Sequence, residues 1–187
     1  MSGPRIISGF SKGIRLKSVP GSTTRPIADK VKESLFNIIG ADIIESSFLD
    51  LFGGTGSVGI EALSRGAKIT RFIEKNNKAY QVLLTNLERT HLNENADVLF
   101  LDAFVYLKKQ HERVFDYIYI APPQYRNLWE LALRQLDIND SHLSEDGWII
   151  AQIDPVEEKL IRLINFKLFD KRKYGNTELL FFMRRFE

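Results

Sequence analysis

The apolar positions change period along the chain, and each change marks an element. Val31, Leu35, Ile38 and Ile39 recur at helical spacing, with Lys30, Lys32, Glu33 and Asn37 off that face. This predicts an amphipathic helix, with Thr24-Arg25-Pro26 as the turn before it, Asp29 as its cap and Gly40 as its stop. Leu49, Leu51 and Phe52 form a short apolar run that reads as a buried strand, and Val58, Ala62 and Leu63 resume helical spacing as far as Gly66. Ile69 to Ile73 is a second strand, followed by a helix that begins at Asn76 or Asn77 and carries Ala79, Leu83 and Leu87. Val98 to Leu101 is a third strand with a helix at 104–109, and Phe115 to Ile120 is a fourth, followed by a helix bearing Leu128, Leu131 and Leu136. Trp148 to Ile153 is a fifth strand. Phe166 to Phe169 and Leu179 to Met183 read as a closing hairpin turning near Tyr174-Gly175-Asn176-Thr177.

Strands that alternate with helices predict an α/β layered domain, with helices on both faces of a mainly parallel central sheet. The last two strands have no helix between them, so one antiparallel strand is expected near the C-terminus. Residues 1–28 stand apart from this alternation. Ile6-Ile7 and Ile14-Arg15-Leu16 are short extended pieces punctuated by Gly3-Pro4, Gly9, Gly13 and Pro20-Gly21. We read them as a small hairpin extension, and residues 29–187 as the main domain.

Composition narrows the function classes. A chain of 187 residues suits one domain with a real core. No run is long enough to cross a bilayer and the start has no signal-peptide pattern, so a cytoplasmic protein without membrane contact is expected. Cysteine is absent and the three histidines lack ligand spacing, which argues against disulfides and against a metal centre. A monomer is expected. The net charge of +2 implies no polyanion partner by itself. Its distribution adds something, because residues 1–28 contain Arg5, Lys12, Arg15, Lys17 and Arg25 and no acid. Such an arm is either solvated or in contact with phosphates.

The candidate chemistry lies at strand ends, where parallel sheets bind ligands. Gly54, Gly56 and Gly59 make G-x-G-x-x-G in the stretch Leu49-Asp50-Leu51-Phe52-Gly53-Gly54-Thr55-Gly56-Ser57-Val58-Gly59. Asp50 stands where a dinucleotide dehydrogenase usually carries an apolar residue, and a carboxylate there can hold an ammonium. No Lys-Ser or Lys-Thr follows, which disfavours an NTPase phosphate loop. S-adenosylmethionine (SAM) carries an amino acid and no phosphate, and it fits better than NAD or ATP; a plain strand-to-helix turn remains the other reading. Glu74 ends the second strand about twenty residues past the glycines, where an acid can accept ribose hydroxyls. Asp102-Ala103 ends the third, placed either to meet an adenine amine or to cap a helix. Ala121-Pro122-Pro123-Gln124-Tyr125 follows the fourth. Its prolines lack N–H groups and offer carbonyls to an exocyclic amine, and Tyr125 can stack on a planar base. An ordinary Pro-Pro turn with a half-buried Tyr is the alternative.

With these residues the chain resembles the RsmD family of class I SAM-dependent methyltransferases, which methylate the N2 amine of a guanine in bacterial small-subunit ribosomal RNA. The likeness runs over nearly the whole length. It includes Arg5-Ile6-Ile7-Ser8-Gly9, Arg25-Pro26 and Asp29 to Asn37. It continues through Leu49 to Gly56 and Gly59-Ile60-Glu61-Ala62-Leu63-Ser64-Arg65-Gly66. The resemblance implies a Rossmann-like fold. It implies Asp50, Gly54 and Gly56 around the methionine part of SAM, Glu74 at the ribose and Asp102 with Ala103 at the adenine, with Phe52, Gly53, Thr55 and Lys75 completing the cofactor set. Ala121, Pro122, Pro123 and Tyr125 become the catalytic loop. With ribosomal RNA or the small ribosomal subunit as partner, Arg5, Arg15, Arg25 and Lys32 are the candidate phosphate contacts, with solubilising surface charges as the alternative reading.

One position departs from the family. The loop usually opens with Asp or Asn, giving Asp/Asn-Pro-Pro-Tyr or Phe; here Ala121 stands first and Gln124 intervenes before Tyr125. The usual side-chain acceptor for the target amine is therefore missing. Three rivals stand beside this reading: a methyltransferase for another amine such as DNA adenine or a protein amide, a non-catalytic RNA-binding or assembly protein, which Ala121 favours, and an NAD(P) oxidoreductase, which Asp50 and the Pro-Pro loop disfavour.

Overall fold

A computed structural model describes residues 3–21, 27–109 and 113–185. Among the described residues five α-helices, α1 (Asp29–Ile39), α2 (Ser57–Ser64), α3 (Asn77–Thr90), α4 (Ala103–Leu107) and α5 (Leu128–Ile138), surround one sheet. Its strands are β1 (Ser47–Asp50), β2 (Ile69–Glu74), β3 (Ala96–Phe100), β4 (Phe115–Ile120), β5 (Leu143–Ile153), β6 (Phe166–Tyr174) and β7 (Thr177–Arg184). They lie in the order β3-β2-β1-β4-β5-β7-β6. β7 runs antiparallel to both β5 and β6, while β1 to β5 pair in parallel. The mainly parallel sheet, the closing hairpin and the single reversed strand all match the expectation from the sequence.

Alternation along the strands separates two buried faces. Leu49, Ile118, Ile120 and Ile149 pack with Trp129, Leu133 and Leu136 of α5 and with Tyr106 and Leu107 of α4. Phe48, Tyr117, Tyr119 and Ile150 pack on the opposite side against Val31, Leu35, Phe36 and Ile39 of α1. Phe72 on this second face meets Ile60 and Leu63 of α2 and Leu83 and Leu87 of α3. Each fully buried Leu, Ile or Phe contributes about 1.5–3 kcal/mol relative to exposure, so the two faces decide the strand register.

Several boundaries moved by a few residues. β1 and β3 each end before the residues expected to finish them, so Leu51, Phe52 and Leu101 lie in the turns. β5 begins five residues early, at Leu143. It includes Gly147, where a Cβ would lie 2.9 Å from the Asp116 carbonyl oxygen. Asp29 is not the cap of α1. Ala28 holds that position without a side-chain bond, and Asp29 instead places its charge in the first turn, 3.5 Å from Arg5. Gly40 ends the helix at φ 68°, a conformation glycine adopts without steric cost.

Residues 4–16 form a tight hairpin. Arg5 and Arg15 pair across it, Ile6 N–H donates to Ile14 O (2.9 Å), and Gly13 N–H donates to Ile6 O (2.8 Å). Ile6 and Leu16 are buried against α2 and α3, so the hairpin is packed into the body.

Candidate active site

The carboxyl ends of β1, β2, β3 and β4 bring the four expected stretches to one rim of the sheet. β1 lies between β2 and β4, with Asp50 level with Phe72 on one side and Tyr119 on the other. The turn after β1 and the Pro-Pro loop after β4 therefore leave adjacent strands on the same edge. Leu51 N–H donates to Tyr119 O (3.0 Å), which carries the β1–β4 pairing up to the start of both turns.

The glycines of the first turn have different tasks. A Cβ on Gly56 would lie 2.3 Å from Leu83 Cδ1, and one on Gly59 2.2 Å from Phe72 Cε1. These two let α2 pack against α3 and the sheet. A Cβ on Gly54 would meet only Phe52 O, at 3.8 Å. Gly54, at φ 54°, is thus the glycine that keeps space clear at the rim. Gly53 N–H donates to Ile73 O (2.9 Å) and Gly56 N–H to Gly53 O (2.7 Å), which shapes the turn. Phe52 is half-buried and meets Phe104 edge-on at 6.2 Å.

Three carboxylates surround this turn. Asp50 is 2% exposed, and its Oδ2 accepts the Gly59 N–H (3.1 Å) in the first turn of α2. Burial pushes its carboxyl up to about 7 against the opposing effect of that bond. Glu74 accepts Gly54 N–H on Oε2 (2.8 Å) and Asn76 N–H on Oε1 (2.6 Å). Asp102 caps α4 with Oδ1, taking Phe104 N–H (2.8 Å) and Val105 N–H (3.3 Å). Its Oδ2 accepts Lys75 Nζ (2.9 Å), and that bond first, then the capping N–H groups, holds the carboxyl below its usual range. Lys75 and Asp102 thus bridge β2 and β3 at the rim, and Asp102 caps α4 as one of its two sequence readings expects. Ala103 is buried beneath them.

This donor set suits SAM and not a nucleotide phosphate. Glu74 occupies the Gly54 N–H that a pyrophosphate would need, and its charge repels an anion. Carboxylates at β1 and β2 instead offer acceptors to an ammonium and to ribose hydroxyls. The remaining lone pairs of Glu74 stay available for such hydroxyls, because its two bonds use one on each oxygen.

The loop after β4 is held from the turn that follows β5. Ala121 packs beside the cluster under α1, Pro122 is buried and Pro123 exposed. Tyr125 is 67% exposed, yet its N–H donates to Glu157 Oε1 (2.9 Å) and its hydroxyl to Asp154 Oδ2 (2.8 Å). Its backbone sits at φ 62° and that of Asn127 at φ 54°, two left-handed non-glycine residues within one loop. Such positions cost about 1–2 kcal/mol each and persist where surrounding bonds impose them. The ring is therefore displayed to solvent but not free to swing.

The expected RNA contacts divide. Arg5 and Arg15 are exposed neighbours on the hairpin. Arg25 lies outside the described residues. Lys32 requires correction, since it is 0% exposed. Its ammonium donates to Arg5 O (2.7 Å) and Ser57 Oγ (3.0 Å) and lies 3.4 Å from Glu61 Oε2. A charge enclosed this way cannot reach a phosphate. Its helical spacing, off the apolar face, read as exposed because the hairpin that covers it comes from residues remote in the chain.

Some organising residues escaped the sequence reading. Glu61 accepts Ile7 N–H (2.8 Å) and Ser8 N–H (3.0 Å), fastening the hairpin to α2. Asn86 donates to Thr55 O (2.8 Å) and Lys17 O (3.1 Å) and accepts Lys17 N–H (2.7 Å), linking hairpin, α3 and glycine turn. Asn86 carried a signal, because it falls on the Leu83–Leu87 face where a polar residue breaks the apolar pattern. Among the described residues no group of three or more His, Cys, Asp or Glu is placed to hold a metal, and no described helix is long and apolar enough to cross a membrane.

The family model described as "Conserved hypothetical protein 95" matches residues 4–183. YlbH of Bacillus subtilis (strain 168) is 38% identical over 183 residues, covering 97% of this chain and 99% of its own. The Ribosomal RNA small subunit methyltransferase D of Haemophilus influenzae is 37% identical over 178 residues, covering 91% and 89%. The solved structure of yhhF from Escherichia coli superimposes with a TM-score of 0.85 at 31% identity, covering 97% of each chain.

Proposed function

The chain belongs to the Conserved hypothetical protein 95 family, the RsmD family, and on that premise we propose that it is a SAM-dependent ribosomal RNA methyltransferase acting on the exocyclic N2 amine of a guanine in the small-subunit (16S) RNA. The observation that carries this reading is the placement of the Gly54 turn and the Pro122 loop on adjacent strands at one sheet edge. A methyl donor held by the first and a base held by the second would meet there.

SAM would be held by the Gly54 turn, Asp50 and Glu74 and would supply an electrophilic methyl group on a sulfonium. The chain's own residues then bind and orient. Tyr125, exposed on a tethered loop, offers a face for an unstacked guanine. The carbonyls of the Ala121-Pro122-Pro123 segment accept N–H bonds from its amine, whose lone pair is otherwise delocalised into the ring. Acceleration then rests on alignment and fixed dipoles, with no covalent intermediate on the enzyme. When the new N–C bond forms, the C–S pair stays on sulfur and the surplus amine proton passes to water. Arg5 and Arg15 would meet the RNA backbone.

Calorimetric titration with SAM, followed by tritium transfer to under-methylated small ribosomal subunits, methyl-free DNA and bulk protein, tests this reading. Transfer to the subunits alone supports it. SAM binding with transfer to DNA or protein in place of RNA would move the substrate, and binding without any transfer would sink the catalytic claim.

A further inference from the structure

The missing side chain at position 121 has a neighbour that can replace it. β4 and β5 pair in parallel as far as Ile120 and Ala151, so Ala121 and Gln152 stand side by side one residue further on, across strands about 4.8 Å apart. Ile150 and Tyr119 both belong to the cluster beneath α1, and Ala121 packs against that cluster. Period-two alternation therefore puts Gln152 on the same face as Ala121.

Tyr119 fixes the amide in place. Its backbone is level with Ile150, yet its hydroxyl donates to Gln152 Oε1, so the phenol points up the strands toward the loop. Tyr119 is 2% exposed and cannot reorient, whereas Gln152 is half-buried at the rim. Burial, with the Asp50 carboxyl beside it, holds the phenol well above its usual range, so it remains a proton donor at neutral pH. A side-chain amide oxygen takes two hydrogen bonds, so one lone pair of Oε1 stays available.

We infer that Gln152 supplies the side-chain acceptor that Ala121 lacks, and that its Oε1 receives an N–H of the target guanine amine beside the Pro122 loop. The inference rests on the functional reading above. The amides of Asn and Gln are the same chemical group, and β5 reaches the rim one strand over from β4. Gln152 accepts a hydrogen bond throughout; it neither gains nor loses a proton, and the amine proton still leaves to water. The small Ala121 side chain leaves room for the amide and for the phenol that holds it.

The test uses the full chain, tritiated SAM and small subunits from cells lacking this protein. For Gln152→Leu, kcat should fall about 10- to 100-fold, the effect of one lost polar contact to the reacting group. KM for subunits and the Kd for SAM should stay within about twofold, taking a group that acts on the amine alone. Adding Ala121→Asn to Gln152→Leu should recover most of the loss. A merely structural Gln152 would show no such rescue. Wild-type kcat in Gln152→Leu, or no recovery in the double variant, overturns the inference. If Gln152→Leu does not fold, Tyr119→Phe releases the amide and should lower kcat, and an unchanged kcat overturns it equally. If the unaltered protein methylates no subunit guanine, the functional reading fails; if it does and Gln152→Leu matches it, only the role of Gln152 fails.

Discussion

Glu74 Oε2 lies 2.8 Å from the backbone nitrogen of Gly54 and accepts its N–H, so the acid that ends β2 also shapes the turn that ends β1. One residue thus couples the two halves of the proposed cofactor site. Glu74→Ala removes both the bond to the turn and the acceptor for ribose hydroxyls. A charged hydrogen bond contributes about 1.5–3 kcal/mol, so the Kd for SAM should rise about 10- to 150-fold by calorimetry. Glu74→Gln keeps one acceptor oxygen for the turn and should lose less. Equal losses for the two variants would contradict the assignment.

Lys32 and Glu61 make the opposite kind of pair. Neither side chain is exposed, and they hold the hairpin, α1 and α2 together. Burial lowers the Lys32 ammonium, opposed by Glu61. Lys32→Met removes one of two cations from Glu61, which keeps Arg65 Nε at 2.8 Å, and should cost about 1–3 kcal/mol in denaturant unfolding. Since Lys32 does not touch RNA, the salt dependence of RNA binding should not change. Arg5→Ala or Arg15→Ala should do the reverse, lowering the slope of log K against log salt by about 0.7–1 each with little loss of stability.

Asp50 makes a pH prediction. Its folded carboxyl titrates at about 7, against about 3.9 unfolded, because burial disfavours the ionised form. Between those values the native state binds more protons than the unfolded chain. Stability should therefore be highest at the acid end of that window, decline as pH rises toward 7 and level off above it. The ionised form is the one that can balance an ammonium, so SAM affinity should increase as pH passes upward through 7. Asp50→Asn should flatten both profiles, as followed by thermal unfolding and calorimetry from pH 5.5 to 8.5. A SAM affinity independent of pH would remove Asp50 from the ligand contacts.

Tyr125 separates stacking from tethering. Stacking of a base on an aromatic ring contributes about 1–3 kcal/mol, so Tyr125→Ala should raise KM for subunits about 5- to 150-fold while the SAM Kd holds. Tyr125→Phe keeps the ring and loses only the bond to Asp154, and it should fall between wild type and Ala. If Ala and Phe behave alike, the hydroxyl tether and not the ring face is what the loop contributes.

Much of this architecture was legible in local patterns. Alternating apolar runs and helical stretches marked every strand and helix of the sheet, and the two short strands of the C-terminal hairpin announced the reversal at β7. Gly54, Glu74 and Asp102 were placed by their positions at strand ends, which parallel topology brings to one edge. What escaped depends on contacts between remote residues. Lys32 reads as an exposed phosphate contact because nothing nearby in the chain shows that the Arg5 carbonyl and Ser57 enclose it. Gln152 was an unremarked polar residue in a strand until the β4–β5 register set it beside Ala121. Asp154 and Glu157, which hold Tyr125, reach it across about thirty positions in sequence, through a turn whose orientation no period encodes.

The measurement that bears most directly on the central claim is nucleoside mass spectrometry of 16S RNA from under-methylated small subunits, before and after incubation with the protein and SAM. A single rim that seats both donor and base predicts one new N2-methylguanosine, absent when SAM is withheld. A protein that binds SAM yet leaves every guanine of those subunits unmodified would contradict it.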